Sequence, residues 1–202
     1  MTLKGVSDKI VNMRLFLTVL ILIFNLQSWT KADDIKDFEI EGMSIGDSLL
    51  NHISKKNIEK FKENYYKDNL YTAITIFQND NTKLKFETYD AVVLTFFTND
   101  ANYELQSISG IIIYEDNIVD CKNKSDQIVK EFKTFLMNTE VKKNDFEGIF
   151  GDVKSVEFNF KNQDMVIVAC YDYLPHETNT DHLRVSIDRK DYLIWIEEKA
   201  YN

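Results

Sequence analysis

Apolar positions along this chain keep three different rhythms, and each predicts a different kind of element. The first is an unbroken run, Leu15 to Phe24, which follows Met13-Arg14 and precedes the small residues Thr30 and Ala32. The second is a roughly helical spacing, in which Leu49, Leu50, Ile53, Ile58 and Phe61 recur with a break near Ser54. That spacing predicts a helix–turn–helix or one bent helix over 48–63, the second part opened by Ser54 as a cap. The third belongs to strands: LYTAITIFQ, TKLKFETY, VVLTFFT and LQSISGIIIYE, rich in β-branched and aromatic residues, are separated by Asn/Asp turns such as NDN and NDAN. In TKLKFE the alternation of Leu84 and Phe86 with Lys83, Lys85 and Glu87 predicts a strand with one wet and one buried face.

The two later rhythms then repeat. KSDQIVKEFKTFLMN places Ile128, Val129, Phe132, Phe135 and Leu136 on one helical face, with Ser125 or Asp126 as the expected start. GDVKSVEFNF, MVIVACYDYL and LRVSID read as three more strands, and DYLIWIEEKAY fits either a short closing helix or a last strand. Strands in runs, with helices between the runs, give an α+β class: antiparallel β-meander sheets packed on one side by helices. Helix-then-strands occurs twice, which predicts a tandem duplication with sub-halves 33–118 and 119–202 and a break near Asn117 to Cys121.

The apolar run changes the destination. It is about half of the roughly 20 residues a helix needs to span a bilayer, so it reads as a secretory signal peptide over residues 1–32 and not as a permanent anchor. Translation could also start at Met13. The expected product is a periplasmic or secreted domain over 33–202. Its charge is more negative than the −9 of the whole chain, because the leader carries Lys4, Lys9, Arg14 and Lys31 against Asp8. An acidic domain is a poor partner for nucleic acid, which requires a basic face. Export also bears on Cys121 and Cys170: an oxidising compartment permits one disulfide between them, although a domain of this size folds without one.

Candidate chemistry is sparse. Gly46-Asp47-Ser48-Leu49 resembles the nucleophile block of the GDSL hydrolases, a resemblance that implies Ser48 as the attacking residue. That family also needs a Gly-x-Asn-Asp block and a late Asp-x-x-His; here Asn79-Asp80 and Asn99-Asp100 lack the glycine, and none of the three histidines has Asp three residues before it. A helix cap at Asp47 or Ser48, with Gly42 and Gly46 in the turn leading in, accounts for the same residues. PHETNTDH gathers His176, Glu177, Asp181 and His182, all metal-ligand types, but Thr180 stands where a zinc-protease motif would place its second histidine. A polar hairpin loop that contacts a partner is the simpler reading of that segment. Tyr65, Tyr66 and Tyr71 are the aromatic residues whose exposure would signal a recognition patch. No cofactor motif is found.

The segment GMSIGDSLL, followed by a predicted helix–turn–helix and meander, resembles the small envelope modules of the SmpA/BamE type and the tandem β-lactamase inhibitor protein family. The resemblance covers Gly42 to Tyr114 and, less fully, Asp120 to Ile187, and carries over no diagnostic inhibitor residue. In overall texture the chain is also similar to uncharacterised exported bacterial proteins. Together these imply a soluble exported module without enzymatic activity, one that binds or assists an envelope protein. The alternative is a small hydrolase built on Ser48 or on a metal at His176 and His182.

Overall fold

A computed structural model describes residues 34–63, 65–80, 82–174 and 179–201 of the chain. The expected signal peptide, His176 and Glu177 lie outside the described residues. Eight strands form one antiparallel sheet: β1 (Lys62–Glu63), β2 (Tyr71–Phe77), β3 (Ala91–Phe97), β4 (Leu105–Glu115), β5 (Glu140–Gly148), β6 (Gly151–Asn159), β7 (Met165–Tyr173) and β8 (Asp181–Asp188). Their order is β1-β2-β3-β4-β8-β7-β6-β5. Each four-strand run is a meander, and β4 pairs with β8 where the two meet. Among the described residues three α-helices accompany them: α1 (Lys55–Lys60), α2 (Ile118–Phe135) and α3 (Lys190–Glu198). Among the described residues, no helix is long and apolar enough to cross a membrane.

Side chains alternate between the two faces of a strand, so the pairing register sorts them. One face carries Ile74, Ile76, Val92, Leu94, Phe96, Ile108, Val185, Ile187, Val166, Val168 and Phe158, all buried. The segment 35–61 covers its first half with Ile35, Met43, Ile45, Leu49 and Ile58, and α2 covers the second. Cys121 on α2 is bonded to Cys170 on β7, with Cα atoms 6.0 Å apart, so the helix is tied covalently to the sheet it covers.

Four expectations need correction. TKLKFETY keeps its alternation of burial but is not a strand. Both edges of β2 and both of β3 are already paired, and residues 82–89 form the connection between them. That connection is held by one carboxylate: Glu41 accepts the amides of Glu87 (2.8 Å), Thr88 (2.8 Å) and Tyr89 (3.0 Å). The Tyr89 ring then presses on Gly110 of β4, where an added Cβ would lie 2.6 Å from ring atoms. The second correction concerns α2, which starts seven residues before Ser125, at Ile118, because the Asn117 side chain accepts the Asp120 amide and caps it there.

Third, β5 is a strand that the hydrophobic pattern did not reveal. Eight of its nine residues are exposed, so there is no buried face to impose a period of two on the sequence. Fourth, the helices do not all lie on one side. DYLIWIEE forms the helix α3 and packs over the opposite face, where Tyr71, Tyr192, Trp195 and Ala200 make a second apolar cluster.

Candidate functional site

The sheet face opposite the main core has two zones, and the register builds both. Where the two meanders join, one row across the sheet reads Met165, Asp188, Ser107, Thr95 and Ala73, and the row two residues along reads Ile167, Ser186, Ser109 and Val93. Thr95, Ser107, Ser109, Ser186 and Asp188 are all buried, so a polar seam runs through the middle of this face. Ser107 donates a short hydrogen bond to the Asp188 carboxyl, and the Ser109 and Ser186 hydroxyls are 2.8 Å apart. Burial pushes the Asp188 carboxyl up to about 6, against the opposing effects of the Ser107 hydrogen bond and the Arg184 charge. The Thr95 hydroxyl makes no hydrogen bond to another described residue.

Helix α3 closes over one end of the seam. Trp195 Nε1 donates to Asp68 (2.8 Å), the Lys67 amide donates to the Ala200 carbonyl (2.8 Å), and the Tyr66 and Tyr192 hydroxyls are 3.0 Å apart. Tyr66 meets Trp195 edge-on at 4.7 Å, and Tyr71 stacks on Phe97 at 4.6 Å. Of the three tyrosines expected to report on a recognition patch, Tyr71 and Tyr66 therefore pack against this helix and only Tyr65 is well exposed.

The other zone is aromatic, buried at its centre and exposed at its two ends. A single row links Phe146 on β5, Val153 on β6, Tyr171 on β7, His182 on β8 and Ile113 on β4. The His182 ring stacks on Tyr171 at 4.6 Å with an interplanar angle of 14°, and lies 5.9 Å from the Tyr173 ring. The Arg184 guanidinium sits 5.3 Å from the Tyr171 centroid. His182 Nδ1 is 2.9 Å from the Thr180 carbonyl, which can only accept, so Nδ1 carries the proton. Burial lowers the His182 pKa to about 4, so the ring is neutral at physiological pH, with no partner for Nε2 among the described residues. The row ends at Phe146 (66% exposed) on the edge strand, and three residues along the chain the β5–β6 hairpin tip carries Ile149 and Phe150, 82% and 58% exposed.

The proposed metal ligands are not brought together where they can be followed. Asp181 and His182 are consecutive strand residues and point to opposite faces. The Asp181 carboxylate instead accepts the Tyr173 amide at 2.8 Å and fastens the strand end. Among the described residues no group of three or more ligand-type side chains converges.

Ser48 is not poised to attack. Its hydroxyl donates to the Asn102 carbonyl (2.6 Å), while His52 lies 3.8 Å from Asp47. Acyl transfer needs a base accepting the serine proton, and a carbonyl cannot play that part. Nor does Ser48 cap its turn through the side chain, as the sequence suggested. It stands at the N-cap of the short 3-10 turn Leu49–Asn51 without a capping bond, and Asp47 accepts the Ser44 amide (2.8 Å) one turn earlier. Gly46 adopts φ +93°, a conformation glycine reaches without strain, so the GD pair of this motif serves the chain reversal.

Sequence reasoning named His182 and missed Phe146, Ile149, Phe150 and Asp188. FEGIFG carried a usable signal, since three large apolar residues around two glycines leave little room for burial in a tight hairpin. No family model matches the chain, and neither a curated protein nor a solved structure is similar to it.

Proposed function

We propose that this chain is an exported, non-enzymatic binding module that recognises an envelope protein with the aromatic end of its second sheet face. The observation that carries the reading is the row Phe146, Val153, Tyr171, His182 and Ile113, which continues into exposed apolar side chains at the hairpin tip. Stacked rings with adjacent hydrogen-bonding groups, fixed on rigid strands, are recognition chemistry: they offer area and orientation at little entropic cost. Contiguous exposed apolar surface on a secreted domain is costly unless something covers it.

Export is supported by the apolar leader and by the disulfide, a bond that persists in oxidising compartments. The tandem reading is supported by the strand order. Each half offers a helix followed by a four-strand meander, and the halves join through β4 and β8. Duplication of a small envelope module would produce such a sheet.

The test is capture of a partner by the tagged chain from Asp33, from envelope extract of the source cell, with surface variants. A saturable partner should be lost with Phe146→Ser combined with Val153→Ser, and retained with Lys154→Glu on the other face. Equal capture by all three proteins would refute the assignment of this surface.

A further inference from the structure

The two edges of the sheet are very different. One ends in β1, whose two residues offer almost no backbone for pairing. The other ends in β5, nine residues long and paired with β6 through nine consecutive positions without a bulge. Its outer backbone groups face no other strand of the sheet. It holds no proline, and long straight edges of this kind are templates for another strand.

A second observation points the same way. Met137, Val141, Phe146, Ile149 and Phe150, five of the fourteen exposed large apolar side chains among the described residues, lie on or beside β5 and its hairpin tip. The third is charge. If β5 pairs antiparallel with β5 of another copy about Asn144, Lys143 faces the partner's Asp145 and Asp145 faces the partner's Lys143. Moving the dyad by one residue either way sets Lys143 against itself or Asp145 against itself. Opposite charges directly across a strand pair stabilise it and like charges oppose it, so one register is selected. In that register Phe146 lies beside the partner's Lys142, whose methylene stem can cover part of the ring. Asp145 lies 3.8 Å from Lys154 on β6 within its own chain, with both groups exposed, so the partner's Lys143 would share a carboxylate that already has one cation on its inner side.

From these features we propose that two copies of the chain associate through β5, edge to edge and antiparallel about Asn144, continuing the sheet across both molecules. The occupant is a second copy because the charge pattern is complementary to itself. This inference shares Phe146, Ile149 and Phe150 with the binding-face reading but fails or stands separately, because its test reads oligomeric state and the Lys143–Asp145 register and not capture of another protein.

Sedimentation equilibrium over a concentration series tests it. The intact chain should show reversible dimerisation, and Lys143→Asp or Asp145→Lys alone should weaken it by about tenfold or more. The double variant Lys143→Asp/Asp145→Lys restores the opposite pairing and should recover the dimer. Asn144→Cys should give a disulfide-linked dimer on mild oxidation, because residues directly opposite in an antiparallel pair are about 5 Å apart. That cross-link decides the matter if a charge variant fails to fold. A chain that is monomeric at every concentration, or a dimer indifferent to both single reversals, would overturn the proposal.

Discussion

Ser107 on β4 donates its hydroxyl hydrogen to the carboxyl of Asp188 on β8, at the seam where the two meanders meet. The carboxyl is fully buried, and its pKa is raised to about 6. A raised folded-state pKa means that the protonated acid suits the fold: its stabilising effect is complete below the ordinary value near 3.8 and is lost as pH rises through about 6. Asp188→Asn keeps a neutral acceptor for Ser107. Relative to the parent, this variant should gain stability, of order 2 kcal/mol, between pH 4 and pH 7. Urea unfolding of both proteins across that range checks it.

His182 works in the opposite sense over nearly the same window. Its pKa is lowered from 6.5 to about 4, so the fold favours the neutral ring. Its stability is complete above about 6.5 and is lost as pH falls towards 4. His182→Phe should retain the stack on Tyr171 and remove this acid sensitivity. The His182 ring NMR shifts should remain those of a neutral ring at pH 5 in the intact protein; a His182 ring that titrates near 6.5 contradicts the account.

The Cys121–Cys170 bond closes a loop of 49 residues. Chain-entropy reasoning for a loop that long gives about 4 kcal/mol, and measured effects commonly fall in the range of roughly 2–4. Replacing both cysteines by alanine should lower stability by about that amount, and adding reductant to the intact protein should approach the same value. Thermal unfolding with and without reductant measures it.

Ser48→Ala removes the hydrogen bond to Asn102 across 54 residues of sequence. The expected cost is about 1 kcal/mol, with no ester hydrolysis to lose. A hydrolytic activity abolished by this substitution in a folded protein would establish the hydrolase instead.

Much of the frame was legible because burial writes itself into sequence. Ile74, Ile76, Val92 and Leu94 alternate along strands with a buried face, and Ile128, Val129 and Phe132 repeat along α2. Local chemistry was legible too, as when Ser54 caps α1 by accepting the Asn57 amide at 3.3 Å. What escaped depends on contacts distant in sequence. Residues 82–89 stay out of the sheet because β2 and β3 have their edges filled and the distant carboxylate of Glu41 holds the segment, and nothing in LKFETY announces either. Leu193 to Ile196 fit two periods until Tyr71 and Tyr66 supply the surface on which a helix can lie. The proposed recognition surface was the least legible part. Phe146, Val153 and Tyr171 belong to three strands, and only their register places them in one row.

The most direct test places a photo-crosslinking side chain at Val153 or at Lys154, neighbours on β6 that face opposite sides of the sheet. Each protein is irradiated in envelope extract of the source cell, and the adducts are identified by mass spectrometry. A saturable adduct with one envelope protein from position 153 and none from 154 is the result the account predicts. Equal labelling from both positions, or from 154 alone, would contradict it.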